Sequence, residues 1–255
     1  MKFLLRTLRF TGFTLLEYIR SARILVELII TVVVVYIFYR RVGEGIDAAY
    51  FFTVAGAFGP ILALYTTSAI IGLGDRPQGY VLLMRRLSRA NYLLGLFLSA
   101  VVIVAGAYGL LSIAVAIINR PPDLDLGGWV GGTLPLLLNI GLLSALLLLL
   151  SPLVLPSSWR LFVLGLIAIA FSSRIISGTL LAAIPAAVQA VLSAAQAILG
   201  GPLVPAFYGY QIGVTRDYSD PTVFANLFAQ LSLLIALLGL AIYAFSRRDV
   251  IFSSQ

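Results

Sequence analysis

Six stretches of this chain are apolar over lengths near or above the roughly 20 residues that a helix needs to cross a bilayer. They cover residues 24–39, 48–73, 92–118, 129–155, 161–183 and 223–245. Overall, 61% of residues are hydrophobic and 11% charged. A soluble domain is about half apolar and about a quarter charged, so the excess is too large for a buried core. The sequence therefore predicts an all-α integral membrane protein with six transmembrane helices, one transmembrane domain covering residues 1–255.

The basic residues give this bundle a direction. The net charge is +7, but the arginines sit at the ends of apolar runs, which sets membrane orientation and does not point to nucleic acid. With six spans and both termini on one side, that side collects Lys2, Arg6, Arg9, Arg20, Arg23, Arg76, Arg85, Arg86, Arg89, Arg160, Arg247 and Arg248, twelve of the seventeen basic residues. The other collects Arg40, Arg41, Arg120, Arg174 and Arg216. The positive-inside rule then makes both termini cytoplasmic in a plasma (inner, cytoplasmic) membrane, with a prokaryotic source expected. A seventh span in the region 184–199 would put Arg247 and Arg248 outside.

Three pieces lie outside the six runs. Residues 1–23 read as an amphipathic helix lying in the membrane plane, with Lys2, Arg6, Arg9, Arg20 and Arg23 in one arc and Leu4, Leu5, Leu8, Leu15 and Ile19 outside it. Residues 184–221 are alanine-rich, then rich in Gly, Pro and Tyr. They read as a re-entrant or interfacial helix, followed by an ordered outer loop. Residues 74–91 are the largest polar interruption. Tyr80, Leu83, Met84 and Leu87 recur at i, i+3, i+4, i+7, so a short helix there has an apolar face. Arg85, Arg86 and Arg89 rim it, and Asp75 can cap its start near Pro77.

The chemistry-bearing groups are few. No cysteine and no histidine occur, which removes histidine metal ligands and Ser-His or Cys-His nucleophiles; no metal site is expected. Phosphate-loop, dinucleotide, HExxH and GxSxG patterns are absent. Glu27 lies inside the first run, one turn after Arg23, and reads as an ion pair with it. Gly56, Gly59 and Pro60 in the second run predict a kink or a close helix approach. With Thr66 they serve either packing or the wall of a path. Arg174, after Ser172 and Ser173, either snorkels to the headgroups or marks a cationic spot in a lateral cavity.

The order of parts resembles the permease subunits of ABC-type exporters of the type 2 class. These parts are a basic in-plane helix, six spans, a polar helix between spans two and three, a semi-polar insert before the last span, and a terminal Phe-Ser-Arg-Arg-Asp. The local likeness rests on Asp75-Arg76, Gly79, Arg89 and Gly95. The resemblance implies that residues 74–91 form a cytoplasmic coupling helix. Asp75, Arg76, Gly79, Tyr80, Leu83, Met84, Arg85, Arg86, Leu87 and Arg89 would dock a separately encoded ATPase. It also implies two ATPase subunits holding ATP and Mg, no cofactor on this chain, no enzymatic activity of the chain alone, and a second permease copy or homologue completing the path. An amphipathic drug-, lipid- or peptide-like cargo would pass Tyr36, Phe58, Tyr65, Thr66, Ser172, Ser173 and Arg174, with membrane lipids as further partners. An integral membrane lipid-handling enzyme, or a non-transporting scaffold or channel, are the alternative readings. The first would rest on Arg216, Asp217 and Asp220.

Overall fold

The protein is seen here as a computed structural model, which describes residues 2–40, 45–74, 87–156, 160–161, 163–165, 191, 193–194, 197–198, 200–201 and 204–247. Among the described residues the regular structure is all helical. Helix α1 is Lys2–Arg20, and α2 is Ile24–Val34, running on through a π-helical turn Val35–Tyr39. Then come α3 (Ala48–Gly74), α4 (Arg89–Ile118), α5 (Leu126–Leu149), α6 (Val204–Thr215) and α7 (Thr222–Arg247). Helices α3, α4, α5 and α7 are long and apolar enough to cross a membrane, and the α1–α2 pair, bent by 72°, makes a fifth if taken as one span. This is compatible with a multi-pass helical membrane protein. Most of the expected run 161–183 lies outside the described residues.

Helices α4 and α5 form the centre. α5 touches α3, α4, α6 and α7, and α4 touches α1, α2, α3 and α7 as well as α5. The buried side chains fall into two clusters stacked along the bundle. One holds Phe10, Ile70, Tyr92, Leu96, Leu148 and Phe245. The other holds Tyr39, Phe51, Phe52, Phe58, Leu111 and Ile140. At the seam, the buried Thr67 hydroxyl of α3 donates to the Ser144 hydroxyl of α5 at 3.1 Å. A hydroxyl pair is a low-cost way to join helices where neither partner meets water.

The close approach expected around Gly56 and Gly59 is present. A Cβ on Gly59 would come within 2.9 Å of Ile140 of α5, and one on Gly56 would overlap the Tyr210 ring of α6. Both glycines therefore serve helix packing, and α3 runs unbroken through Pro60.

The segment 204–215 departs from expectation. Its Gly, Pro and Tyr content reads as an outer loop, yet it is helix α6. The glycines that would weaken a solvated helix let this one pack tightly. A Cβ on Gly209 would overlap the amide of Gln230 in α7, and one on Gly213 would sit 3.0 Å from Leu136 of α5. Gln230 Nε2 donates to Asn139 Oδ1 at 2.7 Å, and Asn139 Nδ2 donates to the Ala206 carbonyl at 3.0 Å. Two amides thus tie α5, α6 and α7 together. At about 1.5 Å per residue α6 is only about 18 Å long, short of the roughly 30 Å of a hydrocarbon core.

Candidate functional site

The two ends of the bundle carry different chemistry. At one end α3 finishes, α4 begins and α7 finishes, with α1 beside them. The basic residues Arg6, Arg9, Arg20, Arg23, Arg89 and Arg247 are here. At the other end α3, α5 and α7 begin, among Asp47, Asp123, Asp125, Asp217 and Asp220. These are the basic end and the acidic end below.

At the basic end, α1 packs against the start of α4. The Thr7 hydroxyl reaches Asn91 Oδ1 at 3.4 Å, that of Thr11 the Gly95 carbonyl at 3.5 Å, and that of Ser99 the Thr11 carbonyl at 3.4 Å. Phe10 stacks on Tyr92 at 5.0 Å between centroids and fills the gap left by the missing side chain of Gly95. The buried stripe is Thr7, Phe10, Thr11, Thr14 and Tyr18. Leu4, Leu5, Leu8, Leu16 and Ile19 remain about half exposed on a second face, and Arg6, Arg9 and Arg20 are exposed on a third. The two-faced helix read from sequence is thus three-faced. The missed signal was available: Thr7, Thr11, Thr14 and Tyr18 recur at helical spacing.

The turn joining α1 to α2 holds Ala22 in the left-handed region, φ 58°. Across it, the Tyr18 hydroxyl donates to Glu27 Oε1, and the Thr66 hydroxyl of α3 donates to the same oxygen at 2.9 Å. Glu27 and Thr66 are fully buried, and Glu27 Oε2 has no hydrogen-bond partner among the described residues. The expected Arg23–Glu27 ion pair is not formed. Arg23 Nη1 donates to the Ala69 carbonyl at 2.7 Å, because the elbow swings the arginine toward the end of α3 while Glu27 faces inward.

Of the ten residues expected to dock a partner, Asp75, Arg76, Gly79, Tyr80, Leu83, Met84, Arg85 and Arg86 lie outside the described residues. Leu87 is half-buried against the cluster around Tyr92. Arg89 is the first residue of α4, just after the Ser88 cap whose hydroxyl accepts from the Asn91 amide at 3.2 Å. Its Nη1 donates to the carbonyls of Phe245 and Ser246 at 3.0 and 2.8 Å. The guanidinium thus satisfies carbonyls that the end of α7 leaves unpaired. The end of α3 is joined to the first turn of α4: the Tyr92 hydroxyl donates to the Gly74 carbonyl at 2.6 Å.

The expected path residues are dispersed. Tyr36 is 63% exposed, under the Arg40 guanidinium near the acidic end. Phe58 is buried in the second cluster, Tyr65 is partly exposed, and Thr66 is engaged with Glu27. Ser172, Ser173 and Arg174 lie outside the described residues.

At the acidic end each carboxylate serves a helix start or a turn. Asp47 accepts from the Tyr50 amide at 2.7 Å, Asp125 from that of Gly128 at 2.7 Å, and Asp220 from that of Thr222 at 2.8 Å. Asp123 does two jobs: Oδ1 accepts from the Ala48 amide at 2.9 Å, and Oδ2 pairs with Arg216 at 3.4 Å. Arg216 ends α6 in the left-handed region, φ 54°. Asp217 takes the hydroxyl and amide of Ser219, which hold its carboxyl below the usual carboxylate range. Burial raises the phenol of Tyr218, whose hydroxyl donates to the Gly131 carbonyl. Among the described residues no group of His, Cys, Asp and Glu could hold a metal ion.

No family model, curated protein or solved structure matches the chain.

Proposed function

We propose that this chain is the membrane-spanning permease subunit of an ATP-driven exporter of the ABC type 2 class. It would have six spans, cytoplasmic termini, an in-plane α1 and a re-entrant segment before the last span. One observation carries the reading: the basic end is constructed as a mount. The end of α3 is bonded to Tyr92 of α4, Arg89 at the start of α4 is bonded to the end of α7, and α1 is packed on the same stretch of α4.

The three faces of α1 support the in-plane placement. A helix at a membrane surface beside its own bundle needs one face for protein, one for acyl chains and one for headgroups and water. The threonine, leucine and arginine stripes supply them in that order around the helix. The 12-residue α6, too short to cross, supports the re-entrant reading, since non-helix-spanning backbone is tolerated where it is buried in protein. The enzyme reading loses its best carboxylates, because Asp217 and Asp220 are committed to local turns and a helix start.

In this reading two ATPase subunits bind ATP and Mg and grip residues 74–91 and α1. A second permease completes the path for an amphipathic cargo. The test looks for an ABC ATPase reading frame beside the gene for this chain and reconstitutes the two proteins together. A stable complex is expected, and Arg85→Ala with Arg86→Ala lowers its coupled ATP hydrolysis at least about tenfold, the loss of roughly 1.4 kcal/mol of contact. No complex, or unchanged hydrolysis, would sink the proposal.

A further inference from the structure

We infer that Tyr18, Glu27 and Thr66 form a clasp that sets the angle of the α1–α2 elbow and makes α1, α2 and α3 move as one body. Three independent features converge there. The elbow bends by 72° within a three-residue turn. Ala22 at its centre is left-handed, a conformation that an alanine holds only when its surroundings impose it. Directly across the turn, a buried carboxyl oxygen takes one hydroxyl from each flanking element, Tyr18 from α1 and Thr66 from α3.

The remaining polar groups nearby are engaged elsewhere. Arg23 is bonded to Ala69, and the Thr31 hydroxyl donates to the Glu27 main-chain carbonyl at 2.6 Å. Glu27 Oε2 has no partner among the described residues. A buried carboxyl with an orphan oxygen is costly for folding alone, and an apolar residue would fill the space better. What the carboxyl supplies, and an apolar residue cannot, is a single acceptor shared by two helices.

The clasp also divides the work along α1. The N-terminal half is fixed to α4 by Thr7, Phe10 and Thr11. The C-terminal end packs on the first cluster through Leu15 and Tyr18 and is joined to α2 where Tyr18 meets Glu27. A push on the basic face of α1 therefore passes through Glu27 to Thr66, eight residues from the end of α3. The inference rests on the permease reading only for the origin of that push. The geometry of the joint can be measured on the chain by itself.

The chain has no cysteine, so a spin-label pair is introduced cleanly. Leu16→Cys on α1 and Ile117→Cys at the far end of α4 are both more than half exposed. Interspin distances are measured by pulsed electron resonance on the full chain in lipid nanodiscs. The parent is expected to give one narrow distribution. Glu27→Leu shifts it or adds a second population, and so does the pair Tyr18→Phe with Thr66→Val, which breaks the clasp from its other side with little change of volume. Glu27→Gln keeps an oxygen that accepts from both hydroxyls, and retains the parent distribution. If Glu27→Leu does not fold, the Tyr18/Thr66 pair decides alone. Unchanged distances in the folded variants, or a Glu27→Gln shift equal to that of Glu27→Leu, overturn the clasp. Absence of a complex between the parent chain and the ATPase strikes the permease reading, and unchanged distances in the folded variants strike the clasp, so the two failures are distinguishable.

Discussion

The basic and acidic ends solve the same problem, the starting and stopping of helices, with opposite groups. At the acidic end aspartates hold the amides that open α3, α5 and α7, and Arg216 is drawn in by Asp123. The described aspartates there are used up internally, while Arg40 and Arg120 stay exposed. At the basic end the helix that starts is capped by an uncharged serine, and Arg89 is spent on the carbonyls of α7. Arg6, Arg9 and Arg20 are exposed on α1. One end is finished by its own side chains. The other presents basic side chains to whatever lies beyond the bundle, and that difference, more than the count of arginines, favours it as the working end.

The sharpest way to break the comparison is to overpack each end by one methyl group. A Cβ on Gly132, near the acidic end, would overlap the ring of Phe52. That ring is held by Phe51 at 4.9 Å and Trp129 at 6.3 Å, so it has nowhere to go. A Cβ on Gly95 would overlap Phe10, which rides on α1 and can leave with it. Gly132→Ala is expected to destabilise the whole bundle by about 3 kcal/mol, the upper range for overpacking, seen as a lowered Tm. Gly95→Ala is expected to leave Tm nearly unchanged and to speed amide exchange in α1 alone. Equal losses of Tm would mean that α1 is held as firmly as the helices around Phe52, and the two ends would no longer differ in kind.

Arg89→Ala tests the basic end from inside. Removing a guanidinium that serves two carbonyls costs about 1–3 kcal/mol, and the exchange protection lost should be confined to the last turn of α7 and the first of α4. If the protein instead keeps full stability and loses only partner binding, Arg89 faces outward in solution, and the capping role is wrong.

Long apolar runs made most of the helix limits legible. Residues 48–73 were read and α3 is Ala48–Gly74; 24–39 were read and α2 with its π turn covers the same residues. Apolarity alone dictates such elements, because unpaired backbone is intolerable in lipid. What failed depended on partners distant in sequence. Residues 204–215 carry loop composition, and contacts distant in sequence support them as a helix: the amides of Asn139 and Gln230, the notches at Gly209 and Gly213, and the Tyr210 ring against Gly56. Glu27 has an arginine one turn before it, and local spacing points to that pair. The elbow, set by Ala22, gives it Tyr18 and Thr66 instead. The polar stretch 74–91 was read as one unit, but Arg89 already belongs to α4, since Ser88 supplies the cap that ends the unit early. The threonine stripe of α1 was legible in spacing and was hidden by the more obvious arginines.

Asp123→Ala would remove both the Ala48 cap and the Arg216 pair. The cap contributes about 1 kcal/mol. The pair, with its carboxylate side 45% exposed, adds less than about 1 kcal/mol. Asp123→Asn keeps an oxygen for the Ala48 amide and loses only the pair, so it should sit near the parent. An Asn variant as damaged as the Ala variant would show that charge, not capping, finishes the acidic end.

The smallest effect is one of pH. Asp217 is fully exposed, and its carboxyl lies below the usual range because the Ser219 hydroxyl and amide both donate to it. A carboxyl depressed in the folded state stabilises above its unfolded pKa, and that contribution is lost as pH falls through the folded value. The turn between α6 and α7 should therefore hold at neutral pH and loosen only in acid. Ser219→Ala removes the hydroxyl and leaves the amide, so the Asp217 titration, followed by carboxyl carbon NMR, should move up toward an ordinary aspartate without reaching it. A Ser219→Ala variant that left the Asp217 titration where it was would mean that the Ser219 amide alone holds the carboxyl down, and that this turn at the acidic end owes nothing to the serine side chain.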